Sequence, residues 1–534
     1  MTAARLSRRL PPLALLATLG ALVLSGPALA DNKKAVEAAK AAAKAGDGGA
    51  LSKAVAEIAA EGKAAAAKGL LAVAPEVPPT QAALYWQVLA ALAAMNDDKA
   101  LDAVGDALIA APDAPLSRDV IFAYQGNKSL EVVKLYDRLL ADKKAAPLQE
   151  NVVVRLGEME RPEAVDALLV AYGREEKKGT PLERRIRSTL AGLFGEDMGD
   201  RANFEGWWKA NREKVFAPRE RAGGTGTVRD TLDKAREGGL QSMARGGRVL
   251  VLRGEVKNFD EVEKILEPLG VRHEAMLKTA FMADMEAALK GTAVVILNCN
   301  FSGNVCRCPT CVPGTDPNSR LPVCTGCDKH TNSTDRLSDA AIERLKRFVA
   351  QGGSVFTEDW GLKELVTRAW NEYLNAGRDL SEREVDYGPV PGQTGSPLLR
   401  GVFVGAAGGG TTTTVAEPRH WKVDNLSPSI RVVDAAKVTV LLASKDLVAN
   451  DNNTAVAVVF SPGEVIAAPE PNKRTRSGGA KAPASVGARP GLVLHVLSHF
   501  GKQKSETDEF TLQNLLVNFL LEAQERWREH AGAR

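Results

Sequence analysis

The sequence predicts a multidomain chain in two parts, an all-α helical-repeat arm followed by a three-layer α/β domain that carries a cysteine-rich loop insertion. Three observations predict it. At 534 residues the chain is too long for one core. Up to Ala217, apolar residues recur at helical spacing in segments bounded by breakers, and no strand-type alternation persists. From Arg248 onward, short apolar runs alternate with helical patterns, the signature of a parallel sheet with right-handed crossovers.

Composition is that of an ordinary globular protein, 45% hydrophobic and 25% charged. Residues 1–30 read as a secretory signal peptide. Arg5, Arg8 and Arg9 form its basic region, Leu13 to Leu24 its short apolar core, and Ala28-Leu29-Ala30 a small-x-small cleavage site. That core is short for a bilayer span, which needs about 20 residues, and no later stretch is long and apolar enough to cross a membrane. The expected location is therefore the periplasm or the extracellular space, with no transmembrane segment after cleavage. Cleavage removes three arginines and no acids, taking the formal charge from +3 to 0. A neutral mature chain offers no electrostatic case for binding nucleic acid.

Residues 31–217 form the arm. Asp31 to about Gly69 is rich in Ala, Lys and Glu, all strong helix formers. Helical segments then recur at Thr80–Met95, Lys99–Ala111, Leu116–Tyr124, Leu130–Leu140, Leu148–Met159, Pro162–Tyr172 and Leu182–Leu193. Stacked antiparallel pairs explain this pattern, because one pair cannot bury its apolar face alone; the arm resembles HEAT repeats in pattern. Asn203-Phe204-Glu205-Gly206-Trp207-Trp208 is similar to the Trp-Trp element that closes such arms in exported bacterial proteins. A binding surface for a protein partner is the expected role, a structural spacer the alternative.

Residues 218–245, with Gly223-Gly224-Thr225-Gly226, read as a linker, and residues 246–531 as the α/β domain. Strands are expected at Val249–Leu252, Val271–His273, Ala293–Leu297 and Ser354–Thr357. Helices are expected at Asn258–Leu266, Ala283–Leu289 and Ser338–Gln351, the last ended by Gly352-Gly353. Beyond Leu399 the chain turns β-rich, with strands at Val402–Val404, Ile430–Val433, Lys437–Leu442 and Ala455–Phe460, and a disordered loop at 469–489.

The run from Leu337 to Phe356, a helix, Gly-Gly and a strand, resembles the core of class I glutamine amidotransferase-like domains, closest to their uncharacterised exported relatives. Val493-Leu494-His495-Val496-Leu497-Ser498-His499-Phe500 and the helix after it look like the last strand and helix of that fold. The resemblance covers roughly residues 246–525 and implies a flavodoxin-like fold. It also implies a Gly-x-Cys-x-Gly nucleophile elbow after the Ser354–Thr357 strand. Here Thr357-Glu358-Asp359-Trp360-Gly361 stands in its place, with Asp359 where the cysteine belongs. A carboxylate does not replace a thiolate in attack on glutamine, so glutaminase activity is not expected. His499 falls near the place of the family's catalytic histidine.

The cysteine loop, residues 299–330, carries the sharpest spacing: Cys308-x2-Cys311-x12-Cys324-x2-Cys327, with Cys306 upstream and His330 downstream. Two such knuckles turn four thiolates toward one zinc. Three disulfides are the alternative, because the cysteines are six and export implies an oxidising compartment. Spacing favours zinc, with Cys306 or His330 as substitute ligands. A four-thiolate site would be closed and structural. At the strand ends, Glu358 and Asp359 with His499 are the candidate catalytic groups, and Asn298, Cys299 and Asn300 would line the same crevice. The expected function is a non-catalytic binding or scaffold protein of the cell envelope. The alternative is a hydrolase working through Asp359, Glu358 and His499.

Overall fold

A computed structural model describes residues 28–78, 81–216, 228–243, 246–254, 260–299, 304–306, 332–334, 336–403, 419–447, 454–463 and 489–531. An N-terminal helical region leads into a mixed parallel and antiparallel sheet flanked by helices.

The breakers read from the sequence set the helices of the arm: α1 Ala28–Ala45, α2 Gly48–Ala60, α3 Ala64–Val73, α4 Ala82–Ala93, α5 Asp98–Ala110, α6 Pro115–Ala123, α7 Leu130–Ala141, α8 Ala146–Glu158, α9 Pro162–Glu175, α10 Pro181–Phe194 and α11 Arg201–Val215. Asp47, Asp97, Ser129, Thr180 and Asp200 each cap the helix that follows by accepting a backbone N–H, which satisfies a donor the first turn leaves unpaired. Besides contacts between successive helices such as α1 with α2, even-numbered helices contact even and odd contact odd, so the arm is two rows over a shared core. The Trp-Trp element lies on α11. Phe194 stacks on Trp207 at 4.4 Å between ring centroids, and Trp208 donates to Asp166 at 2.7 Å.

Within residues 218–245, Lys234–Met243 forms a further helix, α12, which extends the even row by packing on α10. A Cβ on Gly238 would lie 1.9 Å from the Gly192 carbonyl oxygen, so the two helices touch backbone to backbone. Glycine serves close approach here rather than chain flexibility.

The sheet strands are β1 Arg248–Arg253, β2 His273–Leu277, β3 Thr292–Leu297, β4 Asn304–Cys306, β5 Asn332–Thr334, β6 Ser354–Glu358, β7 Leu374–Asp379, β8 Arg383–Pro389, β9 Arg419–Val423, β10 Pro428–Val432, β11 Thr439–Ala443, β12 Ala455–Phe460 and β13 Val493–Val496. Nine of them make one sheet in the order β2-β1-β3-β6-β13-β12-β11-β8-β9. The pairs from β2 to β13 are parallel and those from β13 to β9 antiparallel. β3, β6, β12 and β13 are buried along their whole length, as strands covered on both faces must be.

Several readings differ from the structure. Val402 and Phe403 lie in a turn, where they are buried as core anchors rather than paired as a strand. The helix expected over Asn258–Leu266 is a single turn, Glu263–Leu266, with residues 255–259 outside the described set. The strand near Ile430 pairs with β7 in a separate two-stranded sheet. β7, β8 and β9 were not expected. The loop at 469–489 lies outside the described residues except Arg489, which pairs with Glu529 at 2.6 Å. No described helix is long and apolar enough to cross a membrane.

The even row of the arm seats on the α/β domain. Trp86 on α4 donates to the Pro389 carbonyl at 3.1 Å. Asp119 on α6 accepts from the Gly392 N–H and from Tyr85, both at 2.6 Å. Asn151 on α8 donates to the Gly395 carbonyl at 2.8 Å. Arg185 on α10 grips Glu522 of the C-terminal helix, Glu506–Ala531, through both terminal nitrogens at 2.6 and 2.9 Å.

Two predictions follow from this junction. Gly238→Ala should lower stability by about 1–3 kcal/mol in denaturant unfolding, through overpacking. Gly206→Ala, where a Cβ meets nothing within 4 Å, should be neutral or stabilising. Burial pushes Asp119 up to about 6, against hydrogen bonds from Thr394, Tyr85 and Gly392 and the nearby Arg118 that lower it. A raised carboxyl stabilises the fold below its unfolded value near 3.8, and that contribution is lost as pH rises through about 6. The stability of the native chain relative to Asp119→Asn should therefore fall by up to about 3 kcal/mol between pH 4 and 7; a pH-independent difference would contradict it.

Candidate functional site

The parallel strands end on one edge, where four of them deliver ionisable groups to one point. β1 leads to Asp260, β3 to Cys299, β6 to Glu358 and Asp359, and β13 to His499. The order β2-β1-β3 reverses direction at β1, and such switch points leave a crevice beyond the carboxyl ends of the strands.

Local geometry explains each placement. The Asp359 N–H bonds to the Val496 carbonyl at 2.9 Å, carrying the β6–β13 ladder one residue past the strand. The backbone then turns sharply at Asp359, with φ of 38°, and a one-turn π-helix follows at Leu362–Val366. This is a strained strand–turn–helix elbow that lifts one side chain above the sheet. It needs a small residue behind it: a Cβ on Gly361 would sit 2.9 Å from the Thr357 Cβ. The Asn298 N–H extends the β3–β1 ladder by bonding to the Leu252 carbonyl at 3.2 Å, and Cys299 follows directly. Gln503 holds the His499 carbonyl at 2.6 Å.

His499 is the hub. Its Nδ1 lies 2.7 Å from Asp260 Oδ2, its Nε2 2.8 Å from Asp359 Oδ2 and 3.5 Å from Asp424 Oδ2. Lys502 closes on Asp424 from the rim. The Cys299 Sγ stands 3.7 Å from Asp359 Oδ2. Asp260, Cys299, Glu358, Asp359 and His499 are each at most 2% exposed.

That burial sets the charges. It alone would lower the His499 imidazole, but hydrogen bonds to Asp260 and Asp359 outweigh it and hold His499 well above its usual range, as an imidazolium. Burial pushes the Cys299 thiol up to about 12. Burial and the facing Asp260 carboxyl push Glu358 far up, which holds it neutral. Burial would raise Asp424, but Lys502 and His499 hold it below the usual carboxylate range.

The chain matches no family model and no curated protein sequence. The site is therefore read from its geometry.

Of the sequence candidates, Glu358, Asp359, Cys299 and His499 meet in one cluster. Asn298 turns away from it, donating to the Asp260 carbonyl and to Glu263, both at 3.2 Å, and so props the Asp260 backbone. Asn300, Cys308, Cys311, Cys324, Cys327 and His330 lie outside the described residues, as does the Cys306 side chain, although its backbone forms β4 and pairs with β5. Sequence reasoning missed Asp260 and Asp424. Asp260 was read as part of a helix start, and only its position after the first parallel strand could have flagged it. His495 is core: burial lowers its imidazole to about 4, and Nδ1 bonds to Thr357 at 2.9 Å.

Asp260, Cys299 and His499 each offer a ligand atom, all within 4.8 Å of one another, so this buried group could hold a metal ion. Without a metal the Cys299 side chain is a buried thiol rather than a thiolate at neutral pH. In the metal-free chain, Cys299 should accordingly resist iodoacetamide at pH 7 and react only on unfolding, as read by peptide mass mapping. Labelling at the rate of an exposed thiol would contradict the buried, protonated state.

Proposed function

We propose that this is an exported, non-catalytic binding or scaffold protein of the periplasm or extracellular space. In this reading a HEAT-like arm carries a flavodoxin-like, amidotransferase-like domain whose elbow has lost its nucleophile. The observation that carries the reading is at Asp359. The elbow is present, but its side chain is a buried carboxylate fixed on an imidazolium. Counted in chain order, the five parallel strands run 2-1-3-4-5, which supports the flavodoxin-like assignment.

The arm offers the places to bind. A cleft of about 620 Å³ lies where the even row meets the α/β domain, lined by Arg118, Asn151, Arg155, Arg185, Gln393 and Arg526. In the odd row, Leu130 and Val170 are exposed apolar residues. Zinc in the Cys308-Cys311-Cys324-Cys327 loop is the structural cofactor of this proposal, and rests on spacing alone.

One observation favours a hydrolase instead. Asp359, His499 and Asp260 form a carboxylate–imidazole–carboxylate chain on a strained elbow, the arrangement by which one acid attacks, histidine handles a proton and the other acid orients it. A panel of glutamine, esters, amides and glycosides, assayed with the native chain and with Asp359→Asn, separates the two. The binding reading predicts no turnover by either protein. Turnover by the native chain that Asp359→Asn lowers a thousandfold or more, on the order of a lost triad member, would overturn it.

A further inference from the structure

The strand-end cluster holds more negative charge than its described surroundings balance. Four carboxyl groups, from Asp260, Glu358, Asp359 and Asp424, gather around one imidazole. Lysine reaches only Asp424; among the described residues no lysine or arginine pairs with Asp260, Glu358 or Asp359. Among the described residues, no hydrogen-bond donor reaches the buried Asp260 Oδ1 or Asp359 Oδ1. Buried carboxylate oxygens in that condition are costly, and the usual remedies are protons or a cation.

We propose that the cluster is a mononuclear site for a borderline divalent cation of the zinc class, ligated by His499 Nε2, Cys299 Sγ and Asp359. Asp359 Oδ2 stands beside both of the other donors. Nε2 is 2.8 Å from Asp359 Oδ2, and Sγ is 3.7 Å from the same oxygen. Bonds of about 2.0 Å to N and O and about 2.3 Å to S place tetrahedral ligands roughly 3.3–3.7 Å apart. The thiol is at that separation, and the imidazole and carboxylate need part by only about 0.5 Å. The cation takes the place of one proton on Nε2 and one on Sγ, both released to solvent.

Asp260 completes the arrangement without ligating. It accepts from Nδ1–H at 2.7 Å, fixing the ring so that Nε2 faces the metal. Asp424, 3.5 Å from Nε2, is placed to be the fourth ligand if it leaves Lys502. A donor set of thiolate, imidazole and carboxylate selects zinc, cobalt or iron(II) over calcium and magnesium, which take oxygen alone. Cys308, Cys311, Cys324 and Cys327, the zinc ligands expected in the cysteine loop, are not among the donors of this site.

The test must exclude the loop. The full chain carrying Cys308→Ser, Cys311→Ser, Cys324→Ser and Cys327→Ser is stripped with chelator, dialysed against zinc and analysed for metal. One zinc per chain is expected, with an X-ray absorption shell of one sulfur and the rest nitrogen or oxygen. Cys299→Ala in that background should abolish stoichiometric binding, and Asp260→Asn should weaken it by roughly 10–100-fold. Circular dichroism establishes that each variant is folded, and His499→Gln gives a second ligand deletion should Cys299→Ala misfold. No zinc in the folded background protein, or stoichiometric zinc undiminished by both ligand deletions, would overturn the proposal.

Discussion

The structure depends on one buried interaction: the His499 imidazolium held between Asp260 and Asp359 at the ends of four parallel strands. An imidazolium taken out of water is unfavourable unless it is paired. Here the pairing ties the segment after β1 to the elbow after β6 and the segment after β13. Removing either acid would leave a buried charge, which costs more than the pair itself contributes. The elbow strain at Asp359 persists because the β6–β13 ladder, Gly361 and this ion pair all specify the same conformation.

A second constraint joins the arm to the domain. The even row of helices runs without interruption from α2 to α12, and α12 packs on the C-terminal helix. Polar contacts along the row are satisfied by segment 389–400 and by Glu522. Arg400 extends this network, meeting Asp233 at 2.7 Å and Glu158 at 3.1 Å. Arm and domain thus share one continuous core, and the cleft between them is shaped by both.

Much of this was legible in the sequence, for stated reasons. Many of the arm helices carry side-chain caps or prolines in their first turns, so most limits fall within two residues of the pattern, although α9 runs three residues further, to Glu175. β3, β6 and β12 are buried on both faces and read as unbroken apolar runs. Asp359 and His499 were legible because each follows such a run closely. What failed was whatever depended on tertiary context. The helix Lys234–Met243 falls inside the stretch read as a linker, because the close helix approach at Gly238 cannot be seen along one chain. β8 alternates Val385 and Tyr387 with charged residues but ends at Gly388-Pro389, which masked its pairing with β9 and β11. Asp260 and Asp424 join the cluster from a segment after β1 and a turn after β9, and no spacing rule links them. The cysteine loop, the sharpest motif in the sequence, lies outside the described residues, and its zinc reading stands on spacing.

The charge imbalance around His499 is the point on which the account turns. The most direct measurement is anomalous diffraction at the zinc edge from crystals of the full chain grown with zinc. The account predicts an anomalous peak bonded to His499 Nε2, Cys299 Sγ and Asp359, with the Nδ1–Asp260 hydrogen bond retained. A map with no peak there, and with the His499–Asp359 ion pair still closed, would contradict it.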